Sequence, residues 1–135
     1  MTVMIGTFIF DWGGVLTKKR FVFTFYENMV RKYGLSFDIF RKAYTGIGPQ
    51  YEKNALISKE FFTKYIQRLR INAHWREVEA IFINSVDHNE SVLQFIDNLR
   101  KKYAVYLLSD NYQEIKTCIE PVISSFFKKR YYSCD

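Results

Sequence analysis

The stretch Phe10-Asp11-Trp12-Gly13-Gly14-Val15-Leu16-Thr17 is the part of this sequence best equipped for chemistry. It ends an apolar run and sets one carboxylate, followed by Trp12, just ahead of a glycine pair. An Asp at the tip of a buried strand, with glycines behind it, stands exposed in a tight turn whose backbone N–H groups face a ligand. That arrangement suits nucleophilic attack on phosphorus through an aspartyl-phosphate intermediate. It suits equally a strand end where the Asp merely caps a helix. Taken alone, the residues leave both readings open. A second polar cluster, Ser109-Asp110-Asn111, closes another apolar run far downstream. His74 and His88 are far apart and have no ligand-like partners, so core or surface roles are expected of them.

Two strands must bring these clusters together. Residues 3–10 (VMIGTFIF) form a continuous apolar run stopped by Asp-Trp-Gly-Gly, which predicts a strand buried on both faces. Residues 104–108 (AVYLL) repeat that design, and open α/β folds bind ligands just beyond such strand ends. The sequence between them is helical in period. Phe25, Met29, Val30 and Tyr33 share one face, with Gly34 as a natural stop. Ser36 is placed to cap a second helix carrying Phe37, Phe40, Ala43 and Tyr44, which should end near Gly46 and Gly48. Ser58 is expected to cap a third, with Phe61, Phe62, Tyr65, Ile66 and Leu69 inward. A fourth is expected over residues 74–84, and Asn89 opens another with Val92, Leu93, Ile96 and Leu99 on one stripe. Beyond Asn111 a helix over 112–125, interrupted near Pro121, should lead through a Phe126-Phe127 loop to a strand over 131–133. Strand, helical block, helix, strand, helix, strand is the order of a parallel sheet with right-handed crossovers.

The bulk numbers set limits. With 135 residues, 48% of them apolar and 19% aromatic, the chain can bury a core, and disorder is excluded as its general state. The net charge of +6 raises the question of nucleic acid. Apart from Lys18-Lys19-Arg20 and Lys128-Lys129-Arg130 the basic residues are scattered, as on solvated helix faces, and no nucleic-acid role is assigned. Cys118 and Cys134 form neither a CxxC pair nor a zinc-like spacing, which fits a reducing, cytoplasmic setting. No run approaches the ~20 apolar residues of a membrane helix. No membrane association is expected.

FDWGGVLT resembles the first motif of the haloacid dehalogenase (HAD) superfamily, in the variant that reads FDxGGV. Val105-Tyr106-Leu107-Leu108-Ser109-Asp110-Asn111 resembles the second, an apolar strand ending in Ser or Thr. The helices between them resemble that family's four-helix cap. The resemblance implies a partial α/β, Rossmann-like core over residues 1–17 and 88–135, with a helical cap inserted over 18–87. It implies a phosphohydrolase acting on a small phosphorylated metabolite with Mg²⁺. Asp11 would be nucleophile and metal ligand, and the backbone carbonyl of Gly13 a second ligand. Ser109 would hydrogen-bond the transferring phosphoryl oxygen, a role compatible with its capping a helix. Trp12, Gly14 and Asn111 would meet the substrate.

Two departures temper this. Position 13 is Gly where many family members carry an acidic residue that protonates the leaving group, and losing a general acid typically costs a factor of ~10² to 10⁴. The family also places a Lys after the third strand and an acidic pair after the fourth, and the sequence closes at Asp135 before either. The carboxy-terminal half of the core is then missing and turnover should be weak or absent. The strand over 3–10 would become an edge, expected to pair with a second copy or a complementing chain. The alternative is a non-catalytic interaction module.

Overall fold

The computed structural model describes residues 4–135. Its three strands, β1 (Thr7–Phe10), β2 (Ala104–Ser109) and β3 (Lys129–Tyr132), form one parallel sheet in the order β1-β2-β3. Phe10 pairs with Leu107 and Ser109 with Tyr132, so the strands finish together at one end. Between β1 and β2 come α1 (Phe21–Tyr33), α2 (Phe37–Thr45), α3 (Gly48–Glu52), α4 (Ser58–Leu69), α5 (Trp75–Ile83) and α6 (Glu90–Leu99). Between β2 and β3 come α7 (Gln113–Ile123) and a short 3₁₀ turn. The architecture is α/β, a partial Rossmann-like sheet.

Local chemistry explains most boundaries. Gly34 ends α1 in the left-handed conformation at φ 74°, which costs glycine nothing. Ser36 caps α2, its Oγ accepting from Ile39 N at 3.4 Å. Asn89 caps α6, its Oδ1 accepting from Ser91 N at 3.1 Å and Val92 N at 3.4 Å. His74 proves to be a cap as well. Its Nδ1 accepts from Arg76 N at 3.2 Å while the Glu77 carboxylate accepts from His74 N at 3.2 Å, a reciprocal box at the head of α5.

Elsewhere the structure departs from expectation. Ser58 is the first residue of α4 and not its cap; its hydroxyl donates to the Glu79 carboxylate instead. α2 does end where expected, at Thr45 with Gly46 as its C-cap, but a further short helix, α3, follows at once, because Gly48-Pro49 supplies the proline that suits a first helical turn. Pro121 does not interrupt α7. Pro121 is exposed while Ile115, Ile119 and Ile123 stay buried on the other side, so packing holds the helix through the missing N–H.

The strand expected over 3–10 spans Thr7–Phe10, with Val3 outside the described residues, and it is not buried on both faces. Alternate residues of a parallel ladder share a face. Val105, Leu107 and Tyr132 are buried in one cluster with Leu93 and Ile96 of α6 and Ile115, Ile119 and Ile123 of α7. On the opposite face Ile9, Leu108 and Tyr131 remain 67%, 60% and 47% exposed. The cause is topological. Both crossovers step in the same direction, and right-handed connections that do so lie on the same side of the sheet. β1 forms one edge of the sheet among the described residues.

The main core is the helical block. Phe21, Phe25, Tyr51, Phe62 and Tyr112 all pack their rings around Phe82, at centroid distances of 4.8 to 6.1 Å. Aromatic pairs in such edge and tilted geometries gain beyond simple burial.

Candidate active site

β1 delivers Asp11 to the end of the sheet where β2 also finishes. The chain then turns sharply: Trp12 O accepts from Leu16 N at 2.8 Å and from Val15 N and Thr17 N at 3.2 Å each. Gly14 makes the turn possible at φ 77°, and its N–H is donated to Thr17 Oγ at 2.7 Å. Thr17 in turn donates to Lys19 O at 2.6 Å. The turn is pinned to the segment before α6, where Asn89 N donates to Leu16 O at 2.7 Å and Lys18 N to Asp87 O at 3.0 Å.

Asp11 itself is exposed, and its Oδ1 accepts from Trp12 N at 2.7 Å. The Trp12 ring is buried, and its Nε1 donates to Nε2 of His88 at 3.0 Å. That bond requires a neutral imidazole. Burial favours the same state, holding the His88 pKa below the ordinary histidine value against the opposing pull of Glu90 and Asp87.

A cavity of about 350 Å³ opens beside Asp11, within the range of small-molecule sites (roughly 300–1,000 Å³). Asp11, Trp12 and Gly13 form one wall, Arg20, Phe21 and Val22 another, and Asp110, Asn111 and Tyr112 a third. Glu52 closes it from α3. The expected residues Asp11, Trp12, Gly13 and Asn111 therefore meet. Gly14 and Ser109 are not among the lining residues; Ser109 is buried at the end of β2, and α7 starts only after Tyr112, so Ser109 is not its cap.

Asn111 is the most informative polar side chain. It is 1% exposed. Its Oδ1 accepts from Tyr112 N at 2.9 Å and its backbone N–H donates to Ser133 Oγ at 2.9 Å. Its Nδ2 has no partner. A buried amide donor left unpaired costs about 1–3 kcal/mol, and such a group in a native fold calls for an explanation.

Sequence reasoning missed Arg20, Glu52, Asp110 and Tyr112. Arg20 sat in a basic run read as solvated, and it is exposed while still lining the cavity. Asp110 and Tyr112 flank Asn111 and were within reach of the second cluster. Glu52 had no signal. Its position is made by tertiary contacts of α3 and the residues just after it: Tyr51 donates to the Glu114 carboxylate, Tyr112 Oη to Glu52 Oε1 at 3.2 Å, and Asn54 Nδ2 to Cys134 O at 2.6 Å. Burial and the Asp110 charge raise the Glu52 carboxyl pKa, while Arg20 and Lys53 pull it down. Burial pushes the Tyr112 phenol up, keeping it a donor.

Among the described residues no three His, Cys, Asp or Glu side chains gather into a metal cluster. The donors on offer for Mg²⁺ are the Asp11 carboxylate and the Gly13 carbonyl on one wall. Both are hard oxygens, and Mg²⁺ characteristically takes one or two carboxylates, keeps several waters and adds substrate phosphate oxygens. The residues fit a water-rich site of that kind.

No family model matches the sequence, and no curated protein matches it. Solved structures do match the fold. A HAD family enzyme of Bacteroides thetaiotaomicron, in complex with magnesium and inorganic phosphate, superposes with a TM-score of 0.67 at 22% identity, covering 96% of this chain and 69% of its own. A predicted HAD-like family hydrolase of Porphyromonas gingivalis gives 0.60 at 19%, covering 98% and 68%. A HAD-hydrolase of Bacillus subtilis bound to magnesium gives 0.62 at 14%, covering 94% and 64%. The fold is that of the HAD-like hydrolases, as the two sequence motifs implied.

Proposed function

We propose that this chain is a phosphohydrolase-type protein for a small phosphate ester, with Asp11 as the nucleophile. The observation that carries the reading is the meeting of the exposed Asp11 carboxylate and the buried Asn111 on one 350 Å³ cavity. An Asp11 oxygen attacks phosphorus, the ester oxygen leaves, and water then opens the aspartyl phosphate. Asn111 Nδ2 and the Arg20 guanidinium are the donors available to phosphoryl oxygens, and Trp12 walls the substrate. Gly14 acts through the turn it permits, and Ser109 holds the end of β2 beside that turn. Mg²⁺, when held by Asp11 and the Gly13 carbonyl, offsets the repulsion between carboxylate and phosphate dianion. The Bacteroides neighbour, solved with magnesium and phosphate, supports that assignment. In this reading the helices over residues 18–87 form a cap that closes the cavity through Glu52, and the two free cysteines fit a cytoplasmic protein.

The test is magnesium-dependent phosphate release from 4-nitrophenyl phosphate, comparing the chain with Asp11→Asn. Release that vanishes in the variant is expected. Equal release in both removes Asp11 from the mechanism.

The bare sheet face favours a second reading. Ile9, Leu108 and Tyr131 beside the open β1 edge form a surface suited to a second copy or a complementing chain, and turnover by the isolated chain is then weak. Light scattering decides it: a species heavier than one chain is expected, and a monomer at every concentration speaks against association.

A further inference from the structure

If Asp11 attacks phosphorus, its carboxylate is committed to that bond and the departing alkoxide still needs a proton. The cavity holds few groups able to supply one. The Tyr112 phenol is too weak an acid, since burial pushes its pKa further up. Arg20 offers the cavity hydrogen-bond donors and no acid-base partner for an alkoxide. Asp110 is exposed. Glu52 differs from these. It is half-buried, and its Oε1 accepts from Tyr112 Oη at 3.2 Å. Among the described residues no other hydrogen bond reaches the carboxyl group, so Oε2 is free to face a ligand. The short α3 is fixed by Tyr51–Glu114 and Asn54–Cys134, so the carboxyl is held in place over the cavity.

Resting on the hydrolase reading above, we propose that Glu52 gives the leaving oxygen its proton and later takes one back from water. An Asp11 oxygen forms a bond to phosphorus, the ester P–O bond breaks, and its electron pair takes the Glu52 proton to leave as an alcohol. A water oxygen then attacks the same phosphorus, its proton goes to the Glu52 carboxylate, and the bond from Asp11 to phosphorus breaks. The net reaction is ester plus water giving alcohol plus inorganic phosphate. The groups that set the charge at Glu52 are Asp110, which favours the acid form with burial, and Arg20 and Lys53, which oppose it. Glu52 thus shares the cavity with Asp11, the proposed nucleophile, and with the buried side chain of Asn111.

The experiment compares the chain with Glu52→Gln on two esters. 4-Nitrophenyl phosphate releases a phenolate that needs no proton, whereas glycerol 2-phosphate releases an alkoxide that does. Glu52→Gln should lower kcat/KM on glycerol 2-phosphate by about 10²- to 10⁴-fold and on the aryl ester by less than about tenfold. Equal losses on both esters, or none on either, overturn the assignment of Glu52. Loss of Asp11 dependence on the aryl ester overturns the hydrolase reading instead. A second measurement needs no turnover: the ¹³C carboxyl resonance of Glu52 should titrate above the ordinary glutamate range and move down in Asp110→Asn. A midpoint at or below that range overturns the proposal.

Discussion

In the helical block Phe25, Phe61, Phe62, Tyr65 and Phe82 are completely buried, whereas on the sheet Ile9 and Leu108 leave well over half of their surface in water. Both regions are apolar in sequence. The helices surround their aromatic residues because α1, α2, α4 and α5 turn their apolar faces toward one another. The sheet receives both of its crossovers on a single side, so Ile9, Leu108 and Tyr131 on its other face stay largely exposed. Apolar character specifies a wish to be buried, and topology decides whether the wish is met. The candidate site lies where the two regions join, with Asp11 given by the sheet and Glu52 by the helical block.

The strongest way to break this contrast is to truncate one residue from each region. Phe82→Ala removes a ring that five aromatic neighbours surround, and should destabilise the fold by about 3–5 kcal/mol in urea denaturation. Next comes the turn that carries Asp11. Gly14→Ala forces a side chain into positive φ and should cost roughly 1–2 kcal/mol, measured the same way. Gly13→Ala is its control: a Cβ there meets nothing within 4 Å, and the cost should stay within about 0.5 kcal/mol.

Two pH effects sharpen the view of the junction. His88 has a depressed pKa, so the fold favours its neutral form. The stability this gives is present above the unfolded value near 6.5 and is lost as pH falls through the lower native value. Acid titration followed by tryptophan fluorescence should show a step as the Trp12–His88 bond breaks, and His88→Gln should lack it. Glu52 has the opposite sign for a carboxyl, raised in the fold, so its ionised form costs stability above the ordinary glutamate range. Glu52→Gln should therefore raise the Tm at neutral pH, with the gain fading as pH falls below that range. The smallest effect belongs to the bare face. Leu108→Ala should change stability by no more than about 0.5 kcal/mol while weakening self-association in light scattering. A loss comparable with that of Phe82→Ala would erase the difference between the regions.

Much of this was legible in the residues. Period and caps located α1, α2 and α6, because Gly34, Ser36 and Asn89 act through local backbone geometry that sequence carries directly. The apolar runs located β1 and β2, and Asp11 and Asn111 at their ends do share a cavity. Other features depend on distant partners. The role of Ser58 was displaced by Glu79, 21 residues away, and Pro121 was carried through by the buried isoleucines of α7. β1 was expected to be covered on both faces because an apolar run does not say how many layers will pack on it. Glu52 was invisible for the same reason: its place comes from contacts that span 60 residues or more.

In the proposed mechanism the Asp11 oxygen itself forms a bond to phosphorus. Rapid acid quench of the chain during turnover of 4-nitrophenyl phosphate with Mg²⁺, followed by peptide mass spectrometry, addresses it directly. A phosphoryl group on the peptide containing Asp11, absent in Asp11→Asn, is the expected result. Phosphate release with no phosphoryl group on that peptide, or with the group on another residue, would contradict it.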